Sequence, residues 1–125
     1  MTKLDSLGQF EQLVLTAILS LGENAYGVTI HKKVTELAYP KSVVLGAVYV
    51  TLDRLEDKGY IKSWLSDPTP ERGGRSKRYY ELQAVGEKVL RESIAAAQRI
   101  CAAVEEAWGG LEGPGRKKWK PVHQS

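Results

Sequence analysis

Apolar residues recur along this chain first at helical and then at strand spacing, and the changes of period mark out its elements. Leu7, Phe10, Val14, Ala17 and Leu21 step by three and four, the stripe of an amphipathic helix that Gly22 stops. Asn24 is placed to cap a second helix with Gly27, Ile30, Val34 and Leu37 as its buried face, and Pro40 closes that segment. Ser42 is the expected cap of a third helix, in which Leu45, Val48, Leu52 and Leu55 face inward and Gly59 supplies a left-handed exit. Ile61 to Leu65 and Lys77 to Leu82 are runs of strand formers, separated by turn chemistry that includes Pro68, Pro70, Gly73 and Gly74.

From Gln83 to Trp108 the pattern is helical without a break. Leu90, Ile94, Ala97, Cys101, Val104 and Trp108 alternate steps of four and three, a heptad stripe. A helix of about 26 residues is nearly 40 Å long, more than so small a domain covers by itself. The stripe therefore asks for a partner surface, most simply the same helix of a second copy, with the chain's own first helix as the alternative. Gly109, Gly110, Gly113, Pro114 and Gly115 then end the fold, and a basic, flexible tail is expected beyond them. Three short helices with tight joints, followed by a hairpin, predict a mainly α chain with a small β-hairpin. The expected architecture is a winged helix-turn-helix followed by a long C-terminal dimerisation helix. Its parts are a DNA-binding domain over 1–82, the dimerisation helix over 83–110 and the tail over 111–125.

Composition narrows this without deciding it. A chain of 125 residues with 42% hydrophobic and 26% charged residues suits one soluble domain. No apolar run approaches a membrane span, Asp5 and Glu11 interrupt any leader-like pattern, and a single cysteine suits a reducing cytoplasm. The net charge of +3 resides in residues 112–125, where Arg116, Lys117, Lys118 and Lys120 face only Glu112. Bulk charge therefore supports no claim about nucleic acid, and local placement must. The hairpin tip provides it: Arg72, Arg75, Lys77 and Arg78 stand against Glu71, and Gly74 leaves the backbone unobstructed for close approach to phosphates.

On the third helix, Val43, Ala47, Val50, Thr51, Arg54 and Lys58 lie opposite the leucines. Small groups at its N-terminal end suit entry into a major groove about 12 Å wide, where their methyls can touch thymine methyls. Arg54 and Lys58 lie further back, towards phosphates. Ser42 with the helix N-terminus offers donors to a phosphate, and Lys41 adds a cation. The alternative for this face is a solvated helix surface, and for the hairpin a plain loop. Tyr80 and Leu82 share a strand face and are expected in the core.

The run Tyr26-Gly27, Gly46 to Tyr49, Leu52 to Glu56, Gly59 to Ile61, Gly74-Arg75, Tyr79 to Leu82 and Gly86 resembles the PadR family of bacterial transcription regulators over residues 7 to 90. The resemblance implies a winged-helix domain that binds double-stranded DNA, and two copies related by a dimer axis would read an inverted-repeat operator. It also implies a homodimer joined through the C-terminal helix, and repression released by a small hydrophobic or aromatic effector or by a cellular signal. It further implies that the Tyr49 hydroxyl meets the DNA backbone, a core aromatic being the alternative. The chain departs from the pattern at Val50, where the family favours proline, and at Gln83, where it favours a threonine cap. Losing a good cap costs about 1 kcal/mol, which packing can offset.

Trp108 raises the question of a ligand, together with Phe10 and Trp64. In a dimer the two copies of Trp108 could pack on each other or line a flat pocket with Phe10. Cys101 is expected as a buried, inert thiol on the seam, since a redox sensor needs an exposed, electropositive site. His31 and His123 have no metal-ligand spacing with other residues, and no nucleophile–base pair or phosphate loop is visible. Neither cofactor nor enzyme activity is expected. The rival classes are a winged helix used as a protein-interaction module, which needs no basic tip, and a ligand-binding protein without DNA contact.

Overall fold

The computed structural model describes residues 7–67 and 76–109. Helix α1 (Gln9–Leu21) starts at Gly8, whose amide donates to Glu11 Oε1 at 3.0 Å, and buries Glu11, Val14, Leu15, Ala17 and Ile18. Phe10 and Leu21 only flank the core. At Gly22 the backbone turns to φ 58° and the helix gives way to a 3-10 turn, Gly22–Asn24. That turn absorbs Asn24, which is therefore not the cap of α2 (Gly27–Ala38). Tyr26 occupies the cap position, and Thr29 does the bonding: its hydroxyl accepts from the Tyr26 amide at 3.0 Å and donates to the Asn24 carbonyl at 2.6 Å. Helix α2 buries Gly27, Ile30 and Val34, whereas Leu37 is exposed because the last turn runs past the core.

Helix α3 (Leu45–Asp57) begins later than Ser42 requires; its cap residue is Val44, and no side chain caps it. The segment before it is held differently, by His31 Nε2 donating to the Val43 carbonyl at 2.6 Å. Its buried residues are Val48, Thr51, Leu52 and Leu55, while Leu45 is exposed. At 100° per residue this turns the buried face by about 30° from the one expected of it. Of the expected stripe, Val48, Leu52 and Leu55 are buried, and the β-branched Thr51 takes the place of Leu45 beside them. The helix ends as expected, with Gly59 at φ 81° and the Tyr60 amide donating to the Leu55 carbonyl at 3.0 Å.

Strands β1 (Ile61–Leu65) and β2 (Arg78–Leu82) pair antiparallel, with Ile61 opposite Leu82 and Leu65 opposite Arg78. A bridge between Tyr26 and Tyr79, and the Tyr80 amide donating to the Ala25 carbonyl at 2.9 Å, tie β2 to the start of α2. Tyr80 is buried and Leu82 packs at the core margin, as the strand pattern predicts.

Helix α4 (Ala84–Trp108) follows directly, the Gln83 carbonyl accepting from the Glu87 amide at 2.9 Å. A Cβ at Gly86 would fall on the Tyr60 carbonyl oxygen and 2.9 Å from its carbon, so only glycine lets the helix backbone rest there. Gly86 and Leu90 are the buried residues of α4. The chain divides into two compact units, Met1–Arg91 and Glu92–Ser125, with the boundary inside this helix. In the second unit Ile94, Ala97, Ile100 and Cys101 are exposed, and Val104 and Trp108 are half-buried. The burial expected for the Cys101 thiol is thus not met within the single chain.

Candidate nucleic-acid interface

The face of α3 turned to solvent is set by its buried face. Opposite Val48, Thr51, Leu52 and Leu55 lie Gly46, Tyr49, Val50, Asp53, Arg54 and Asp57, all exposed. The N-terminal half of that face, together with exposed Val44 and Leu45, is small or apolar and uncharged. Its C-terminal half carries two carboxylates and one guanidinium. The structure thus keeps Val50 and Arg54 on the outward face proposed from sequence and removes others from it. Thr51, at 4% exposure, belongs to the core. Val43 packs against the core, with its carbonyl taken by His31. Ala47 is half-buried and lines a groove of about 560 Å³ with Phe10, Leu13, Leu37, Tyr39 and Val44. Lys41 and Ser42 are exposed on the rim of the same groove, beside the start of α3. Phe10 belongs to the first unit and Trp108 to the second.

Tyr49 is half-exposed, and its ring lies on Gly27: a Cβ there would clash with the hydroxyl oxygen and stand 2.6 Å from Cζ. Glycine after Tyr26 is therefore what lets Tyr49 lie across the start of α2 with its edge open to solvent. Lys58 is not available for phosphates in the way its position suggests, because its Nζ donates to Glu11 Oε2 at 3.1 Å. Burial would push the Glu11 carboxyl up. The Gly8 amide, the bond and charge of Lys58 and the charge of Arg54 outweigh that and hold it below its ordinary 4.5. This pair clamps the first turn of α1 to the last residues of α3 and so fixes how the helix is presented.

The hairpin is aimed by a second polar chain. Ser63 Oγ donates to Glu56 Oε2 at 2.8 Å and accepts from Arg78 at 2.9 Å, linking α3 to both strands. Lys77, proposed from sequence as a phosphate contact, is half-buried just beyond the Leu65–Arg78 pair, at the loop end of the strands, its ammonium 3.9 Å from the Tyr26 ring centroid. Tyr26 meets Tyr79 edge-on, and Tyr79 stacks with Trp64 at a centroid distance of 6.2 Å. Arg72, Gly74 and Arg75 lie outside the described residues.

Sequence reasoning missed Val44, Leu45 and Gly46 as surface residues of the helix entrance, and Asp53 and Asp57 as the acidic end of its face. The signal was Thr51, whose spacing from Val48, Leu52 and Leu55 gives it a place on the same helix face as an alternative to Leu45. His31 and Glu11, which hold the segment before α3 and the end of α3 through polar bonds, carry no such pattern, since each is recognised only through its distant partner.

Helices α1 to α3 with the hairpin β1–β2 form a winged helix-turn-helix, the architecture of DNA-binding regulators. The chain belongs to the PadR-like family of transcriptional regulators, whose family model matches residues 14–92. It is similar to the crystal structure of a PadR family transcription regulator from hypervirulent Clostridium difficile, at 27% identity and a TM-score of 0.62, over 82% of this chain and 100% of that one. A PadR-like transcription factor from Bacteroides fragilis matches at 26% identity and a TM-score of 0.61, over 79% of this chain and 92% of that one. The Orc1 protein of Aeropyrum pernix, solved in complex with DNA, matches at 26% identity and a TM-score of 0.56, over 74% of this chain but 26% of its own. No curated protein matches the chain. Among the described residues, no helix is long and apolar enough to cross a membrane.

Proposed function

We propose that this DNA-binding regulator acts as a homodimeric repressor in the cytoplasm. In this proposal it inserts the N-terminal half of α3 into the major groove of an inverted-repeat operator, and an effector or cellular signal releases it. The observation that carries it is the uncharged, small-residue surface of Val44, Gly46 and Val50, exposed at the end of α3 that adjoins Lys41, Ser42 and Tyr49. A helix entering the groove meets base edges with such residues and phosphates with the polar groups beside them. Asp53 and Asp57 would be repelled by phosphates, so the helix is expected to enter by its N-terminal end and to hold its C-terminal end away. Arg72, Gly74 and Arg75 of the hairpin tip complete the grip on the backbone, with Lys77 held over the Tyr26 ring.

Dimerisation is assigned to α4. Ile94, Ala97 and Cys101 of the heptad stripe are exposed, as is Ile100, and with Val104 and Trp108 they form an apolar strip that a second copy can cover. Residues 1–82 are then the DNA-reading part, 83–110 the dimerisation helix and 111–125 the basic tail, with an aromatic effector site at Trp108. A gel shift with the DNA upstream of its own gene tests this directly. Binding of that DNA over a random duplex at matched salt supports a sequence-specific regulator, and equal binding of both contradicts one.

A further inference from the structure

A second groove, of about 770 Å³, lies within the first unit on the outer face of the hairpin, and the DNA interface makes no use of it. Ile18, Leu19 and the turn at Gly22 and Glu23 form one wall, Trp64, Tyr79 and Glu81 of the hairpin the other, and Glu87 of α4 closes one end. Two features set it apart. Its aromatic wall is open, Trp64 being 43% exposed despite stacking on Tyr79, and Leu19 opposite is exposed as well. Among the described residues its charged lining is of one sign: Glu23, Glu81 and Glu87 line it, and no described lysine or arginine does. Lys62 pairs with Glu81 at 3.7 Å and Arg91 with Glu87 at 2.8 Å from outside the groove. Among the described residues Glu23 forms no ion pair and is exposed.

We propose that this groove binds an aromatic organic cation, its ring system laid against Trp64 and Leu19 and its charge directed at Glu23 and Glu81. The π-faces of indole and phenol attract cations, more strongly where water is excluded, and the same aromatic run already holds one: Lys77 over Tyr26, which abuts Tyr79. Carboxylates beside an aromatic wall select a cation over a neutral or anionic ring of equal size. Since the occupant touches both the helical body and the hairpin, it is suited to bias the position of the hairpin and thereby DNA affinity. That consequence rests on the proposed function above, but binding itself does not.

Berberine, a planar quaternary aromatic cation, is the probe, titrated calorimetrically into the full chain without DNA. An anionic dye of similar size, anilinonaphthalene sulfonate, serves as comparator. Saturable berberine binding is expected, weakened about tenfold by Trp64→Leu and by the double change Glu23→Gln with Glu81→Gln. The dye should bind less tightly than berberine. Glu23 is exposed, so the carboxylate variant keeps the test valid should Trp64→Leu fold poorly. Equal affinity for the dye, or berberine affinity unchanged in these variants, overturns the proposal. So does loss of binding in Trp108→Leu alone, which would place the cation on the second unit. A chain that binds berberine as expected but no operator leaves the groove intact and removes only the regulatory consequence.

Discussion

Thr51 and Val50 are adjacent in sequence and opposite in surroundings, at 4% and 57% exposure. Thr51→Glu places a charge among Val48, Leu52 and Leu55 and should lower stability by about 3 kcal/mol or more, whereas Val50→Glu should stay within about 0.5 kcal/mol. Denaturant midpoints of the two variants decide which way α3 is turned, and equal losses would contradict the rotation found here. Glu11 gives a prediction about pH. Its native carboxyl titrates below the unfolded one, so its contribution is complete above the ordinary value of 4.5 and is lost as pH falls through the lowered native value. Melting curves taken from about pH 7 downwards should therefore converge for wild type and Glu11→Gln in acid, and parallel curves would show that the Lys58 pair does nothing. None of this was legible beforehand, because a glutamate on an apolar stripe has no meaning until its cation, 47 residues on, is brought to 3.1 Å.

The elements themselves were legible. Gly22, Pro40 and Gly59 punctuate three helices, and the two strand runs and the last helix emerge within a residue or two of their expected bounds. At the helix starts the polar residues that position marks out are not the caps. Asn24 was drawn into the 3-10 turn and Ser42 lies two residues before the cap, so Thr29 and the His31 bond to Val43 do their work instead. The hairpin offers a prediction at this scale. Arg75→Ala should weaken operator and random DNA alike and reduce the salt slope by about one unit per lost phosphate contact in each subunit. Lys77→Ala should have a smaller effect on that slope, because its ammonium is held over the Tyr26 ring. Similar slope losses for both would show that Lys77 leaves the ring to reach the backbone of DNA.

At the scale of the whole molecule, a helix that continues past Arg91 with Ile94, Ile100 and Cys101 uncovered is a surface in want of a partner. Ile94→Glu with Val104→Glu puts four charges into the proposed dimer seam and should yield monomeric or unstable protein by light scattering. A well-folded dimer after that change would remove α4 from the interface. The heptad stripe announced this helix from sequence, but Ile100 joins it only once exposure is known, since it lies off the strict four-and-three spacing. The central claim is that the N-terminal half of α3 reads DNA, and Val50 is its outermost apolar side chain away from the half-buried groove at Ala47. The most direct measurement is a nuclease footprint of wild type and Val50→Glu on the DNA upstream of the gene, run beside their melting curves. Protection of two half-sites by wild type, lost in Val50→Glu with the melting temperature nearly unchanged, is the predicted result; the same footprint from both proteins would contradict it.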